Sequence, residues 1–158
     1  MENLNQYLIP AARQGNVPVI EELLNQGADI NYQDEKGFSP LMIACYNGQY
    51  EAAEHLISKG ADVNLADYGG NTPLMGAAFK GNIPIAELLV THNADLDAQH
   101  ANGGTALMFA AMFGRNNLVK FLLEKGADKN VKDTRGLTAF DLAKLQGNEE
   151  AIGYLLAY

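Results

Sequence analysis

The residues that could do chemistry in this 158-residue chain are three histidines, one cysteine, two glycine pairs and a scatter of carboxylates. His55, His92 and His100 show no metal-ligand spacing such as H-x-x-x-H. Cys45 has no second cysteine to join it in a zinc site or an internal disulfide. The histidines therefore read as solvated surface residues, and neither a metal nor a cofactor is expected. Gly69-Gly70 and Gly103-Gly104 would suit a phosphate cradle only in a GKS/T or G-x-G-x-x-G context, which both lack. The carboxylates recur in step: Asp34, Asp67 and Asp133 share one spacing, and Asp29, Asp62, Asp95 and Asp128 share another. An active site needs a unique constellation, and repetition supplies several copies of one residue. The chain reads as a non-enzyme.

Composition narrows the partners. Eleven basic against nineteen acidic side chains give a net charge of -8 and a pI near 4.7. That sign disfavours nucleic acid and anionic membranes alike. Hydrophobic residues at 47% are those of a globular protein. The longest apolar run, Ala106 to Phe113, falls far short of the roughly 20 residues that cross a bilayer. Met1-Glu2-Asn3-Leu4 carries no basic or apolar leader, so the expectation is a soluble, monomeric, cytoplasmic protein.

The elements that position these residues follow from a repeat. Gly15, Gly48, Gly81, Gly114 and Gly147 are each 33 residues apart, as are Gly37, Gly70, Gly103 and Gly136. Gly27, Gly60 and Gly126 keep the same period, with Asn93 in the one missing place. Leu8, Leu41, Leu74, Leu107 and Phe140 form an apolar column; Ala11, Ala44, Ala77, Ala110 and Ala143 form a small one. Leu23, Leu56, Leu89, Leu122 and Leu155 close the unit. The chain divides into a first unit (1–33), three full units (34–66, 67–99, 100–132) and a last one (133–158), in a single domain. Within a unit, Thr72 is an N-cap with Pro73 at the first helical position, and the helix runs to Lys80 before Gly81 in the left-handed C-cap position. A second helix spans 83–90. Neither is long enough to stand alone, so each buries its apolar side on the next unit. An all-α repeat solenoid results.

With Asp67-x-x-Gly70-x-Thr72-Pro73-Leu74-x-x-Ala77-Ala78-x-x-Gly81, then Leu88-Leu89 and an ending like Gly60-Ala61-Asp62-Val63-Asn64, the chain resembles the ankyrin repeat family over essentially its whole length. The resemblance implies paired antiparallel helices joined by β-turns, with a concave face made of turn tips and first helices. The histidine that the family places after Thr-Pro-Leu is replaced by Met42, Met75, Met108 and Asp141, which questions the bracing of those turns. The Thr-Pro-Leu-Met form is closer to bacterial ankyrin proteins. Cys45 falls in the second alanine place of its unit and reads as a packed, inert thiol. Pro10 falls inside the first helix unless that helix starts near Leu8 or Ile9. Asp141 and Lys144 stand where inner units carry Met and a small residue, which makes the last unit a polar cap.

Function should sit where units differ and side chains face outward. The resemblance places partner contacts at the turn tips, after the turn glycine and at the end of the first helix. In this chain those are Phe38, Tyr46, Asn47, Tyr68, Asn71, Phe79, Lys80, Met112, Phe113 and Arg135. Tyr46, Phe79 and Phe113 should form a row roughly 10 Å apart, the spacing of packed helices. Such rings make a hot-spot strip; the alternative is that some lie flat over neighbouring units and only pack. Residues 1–79 hold most of the net negative charge, so a partner with a basic patch would be steered toward that half, unless the charge serves only solubility. The leading function is a protein-binding module, adaptor or stoichiometric inhibitor, since no second domain is there to receive a signal. The alternative is a small-molecule or peptide receptor that uses the aromatic strip.

Overall fold

Ser39, Thr72, Thr105 and Thr138 each stand in extended backbone before a helix, and the hydroxyl of each accepts the N–H three residues on, at 3.2–3.3 Å. Those caps, with Pro40 and Pro73 at the first helical position, start four of the helices in this computed structural model, which describes residues 3–158. The described residues hold ten α-helices and no strand. They are α1 Leu8–Gln14, α2 Val17–Asn25, α3 Pro40–Tyr46, α4 Tyr50–Ser58, α5 Pro73–Lys80, α6 Ile83–Thr91, α7 Ala106–Met112, α8 Asn116–Glu124, α9 Ala139–Leu145 and α10 Glu149–Ala157. Helix α6 runs one residue past the expected end. Pro10 causes no break: a 3-10 turn at Leu4–Tyr7 precedes α1, so Pro10 is third in the helix, where no intrahelical donor is needed.

The odd-numbered helices pack successively, α1 on α3, α3 on α5, α5 on α7 and α7 on α9, and each even-numbered helix returns against its odd partner. The physical reason is the small-residue column. Ala44, Ala77, Ala110 and Ala143 are fully buried, which lets the odd-numbered helices approach closely. Leu8, Leu41, Leu74 and Leu107 fill the space beside them, and Ile20, Leu56, Ile85, Leu89, Leu118, Leu122 and Leu155 seal the gap to the even-numbered layer. Cys45 is buried in this core, where desolvation pushes its thiol up to about 12 and keeps it from acting as a nucleophile.

Two hydrogen-bond ladders tie neighbouring units. At the turn tips, the N–H groups of Tyr68, Ala101 and Thr134 donate to the carbonyls of Lys36, Gly69 and Asn102 in the preceding turn. In the loops that follow the second helices, Asp62, Asp95 and Asp128 N–H groups donate to the side-chain oxygens of Asn31, Asn64 and Asp97, one unit back. Asn93 takes the place of a glycine at φ +68°, the left-handed conformation that asparagine tolerates best after glycine.

The missing histidine brace is replaced in two units. Met75 Sδ accepts the Thr72 N–H at 3.5 Å, and the Asp141 carboxylate accepts the Thr138 N–H and hydroxyl at 3.0 and 3.1 Å. Met42 and Met108 are simply buried.

Asp133 and Asp141 also give the last turn a pH dependence. The Leu137 N–H and then the Arg135 side chain and N–H hold the Asp133 carboxyl below its usual range; the Thr138 N–H and hydroxyl do the same for Asp141. A depressed folded-state carboxyl stabilises the fold while ionised, above about pH 4, and that contribution is lost as pH falls through the depressed value. Urea midpoints measured at neutral pH and below pH 4 should therefore fall less for Asp133→Asn than for wild type. An equal fall in both would show that Asp133 does not carry the dependence.

Candidate protein-binding face

The ends of α3, α5 and α7 bring the expected rings together, but not as a spaced row. Tyr46 and Phe79 lie nearly parallel with centroids 6.3 Å apart, and Phe113 meets Phe79 edge-on at 4.8 Å. The expected spacing near 10 Å is corrected: the side chains lean toward one another, because rings in contact leave less apolar area facing water. The chain of contacts continues from Phe113 to Phe109 (6.3 Å, nearly parallel) and from Phe109 to the His100 ring (5.1 Å, edge-on). Tyr46, Phe79 and Phe113 remain 44%, 37% and 43% exposed despite these contacts. Lys80 places its ammonium 4.4 Å above the Tyr46 ring.

The other expected contact residues divide. Asn47 is exposed, and its amide donates to the Ile43 carbonyl. Tyr68 is 70% exposed but stands apart from the ring cluster, over Gly37 of the preceding turn. Phe38 and Met112 are half-buried and packed on the core, so they do not project freely as expected. Asn71 is half-buried, with its amide on the Asp67 carboxylate at 3.1 and 3.3 Å. Arg135 is exposed at the far end, held on Asp133 at 2.9 Å.

The histidines depart from expectation. His100 stands in the column of Asp34, Asp67 and Asp133, whose carboxylates each accept the N–H four residues on. The His100 Nδ1 takes that place by accepting from the Gly104 N–H at 2.9 Å. His55 pairs with Glu21, and His92 Nδ1 bonds the Leu88 carbonyl. None is a merely solvated side chain. Among the described residues no group of three or more His, Cys, Asp or Glu side chains could hold a metal ion.

Between α3 and α5 the face opens into a pocket of about 460 Å³, lined by Phe38, Met42, Tyr46, Met75, Phe79 and Phe109 among others, with Asp67 and Asn71 at its polar end. Its size comes from Gly76. The same column holds Pro10, Ile43, Phe109 and Leu142 in the other units, so the glycine leaves one side chain's space empty.

A family model for ankyrin repeats (3 copies) matches residues 8–100 and again 74–158. The chain belongs to the ankyrin repeat family. Ankyrin stacks generally mediate protein–protein interaction and are generally not enzymes. No curated protein matches the chain. Among the described residues no helix is long and apolar enough to cross a membrane. The face just described is the one that ankyrin stacks build from turn tips and first helices. Its charges balance: Asp34, Glu35, Asp67, Asp133 and Asp141 stand against Arg13, Lys36, Lys80, Arg135 and Lys144. The acidic excess of this ankyrin stack lies instead on the even-numbered helices and the loops after them, at Glu21, Glu22, Asp29, Glu51, Glu54 and Asp62 in the N-terminal half. Sequence halves hid that division, which runs between layers.

Proposed function

We propose that the protein is a non-catalytic binding module that holds a protein partner on its turn-and-first-helix face, as an adaptor or a stoichiometric inhibitor. The observation that carries this reading is the exposed ring cluster of Tyr46, Phe79 and Phe113 on a rigid scaffold. Large apolar rings that stay open to water are unusual on a surface and are the residue types that anchor interfaces. Held against each other, they lose little conformational freedom when a partner covers them. The balanced charge of the face suits an apolar contact, and the acidic outer layer would steer a basic partner from a distance. The pocket of about 460 Å³ favours a second reading, a receptor for a small molecule or free peptide.

A comparison of partner capture separates the two. Wild-type protein and the triple variant Tyr46→Ala, Phe79→Ala, Phe113→Ala are immobilised and exposed to lysate of the source cell. A stoichiometric protein should bind wild type and be weakened at least about a hundredfold by the triple variant, with melting temperature within a few degrees. Undiminished capture would move the interface off the rings. A collapse in stability would show that the rings serve the core.

A further inference from the structure

The Gly76 pocket combines two features, a gap that the repeat does not require and a turn carboxylate without a basic partner. One is the glycine. It lies inside α5, away from a turn, where glycine weakens a helix relative to alanine. A Cβ there would meet only Tyr46 Cδ2, at an ordinary 3.8 Å, so the packing itself does not demand glycine. The other is Asp67. Its Oδ1 accepts the Gly69 and Asn71 backbone N–H groups, but its Oδ2 accepts only the Asn71 amide, at 3.1 Å. In the last unit the corresponding carboxylate, Asp133, is neutralised by Arg135 two residues on. The residue two after Asp67 is Gly69, and among the described residues no basic side chain pairs with Asp67.

We propose that this pocket receives an arginine side chain of the protein partner. The inference rests on the protein-binding reading above and specifies its anchor. The walls include Phe38, Tyr46, Phe79 and Phe109, aromatic side chains of the kind that attracts a cation and packs on its stem. The half-buried Asp67 carboxylate supplies the counter-ion. A purely apolar anchor would desolvate that carboxylate without compensation, which disfavours leucine or phenylalanine. Arginine fits better than lysine, because a planar, weakly hydrated guanidinium stacks on rings and forks a carboxylate at once.

The test is an NMR titration of amide shifts in the whole protein. Three probes are compared: Nα-acetylarginine methylamide, the citrulline analogue, which keeps the shape without the charge, and the norleucine analogue. The arginine probe should give saturable shifts at Gly69, Asn71 and Gly76, with an affinity on the order of millimolar for so small a ligand. Citrulline should bind at least about tenfold more weakly, the loss expected for one charge-assisted contact. Asp67→Asn, which keeps the turn acceptor, should erase the difference between the two. Gly76→Leu, which restores the residue type of Leu142, should abolish binding while leaving the rest of the spectrum unchanged. Equal binding of arginine and citrulline, tighter binding of norleucine, an unaffected Gly76→Leu variant, or no saturable shift in wild type would each overturn the proposal. Those readouts are independent of partner capture: a partner lost from the triple alanine variant, with no arginine binding, leaves the interaction module standing and removes the arginine anchor.

Discussion

Removing residues 133–158 should leave a protein that melts at least about 10 °C lower and aggregates on warming. Helices α9 and α10 pack against α7 and α8, whose Met108, Ala111, Leu118, Val119 and Leu122 are all 2% exposed or less in the whole chain. Uncovering several such side chains forfeits roughly 1–3 kcal/mol for each large one, a sizeable share of the stability of any small domain. Hydrogen bonds across the cut are lost with them, among them Asn148 to the Ala111 carbonyl at 3.3 Å, Lys129 to the Leu155 carbonyl at 2.8 Å and the Thr134 N–H to the Asn102 carbonyl at 3.0 Å. The last unit is suited to end the stack. Asp141 and Lys144 are half-buried and exposed in the columns where Met42, Met75, Met108 and Cys45, Ala78, Ala111 are buried. Leu156, at 70% exposure, is the one large apolar residue of α10 that this arrangement leaves open. Light scattering and circular dichroism on the 1–132 fragment decide the matter. A monomer that melts with the full-length protein would remove the capping role.

The architecture was legible because each structural task recurs every 33 residues. A hydroxyl before four of the five first helices, an alanine between helices and a leucine behind them repeat too often to be misread. Position along the period, however, does not give the direction of a side chain. The column predicts that Tyr46 and Phe79 share a face, but their tilt toward Phe113, one place further on, is decided by mutual contact of the rings. The same limit explains Phe38 and Met112, which sit in variable columns and nevertheless turn inward. Two site features had a signal in the sequence that went unused. Gly76 is the single glycine in a column of Pro10, Ile43, Phe109 and Leu142, so a gap on that face could have been read directly. His100 shares a column with three aspartates, and only an acceptor role in the turn satisfies all four residues. Charge was divided along the chain in the sequence and across layers in the fold, a distinction that needs the helix pairing.

Alanine at Gly103 should destabilise the stack far more than alanine at Gly81, although both glycines have left-handed backbone, at φ +83° and +74°. The conformational strain of a non-glycine residue is common to both, about 1–2 kcal/mol. What differs is the neighbour. A Cβ on Gly81 would meet the Arg115 side chain, 2.9 Å from Cδ, and a flexible chain can move aside at the expense of its bond to the Phe79 carbonyl. A Cβ on Gly103 would meet backbone: Asp133 Cα at 2.8 Å and Thr134 N at 2.9 Å. Thr134 N is also the donor to the Asn102 carbonyl at the turn tip, so relief of the clash breaks the rung that joins the last two units. Overpacking of this kind adds about 1–3 kcal/mol to the strain. Gly103→Ala should therefore lose roughly 2–5 kcal/mol against 1–2 for Gly81→Ala, and each kcal/mol lowers the melting temperature by about 2–4 °C in a chain of this size. Hydrogen exchange should show the Gly103 loss concentrated in α9 and α10, since each unit is held only by its neighbours. Equal melting temperatures for the two variants would mean that the turn tips separate freely, and that the last unit is held by its helices alone.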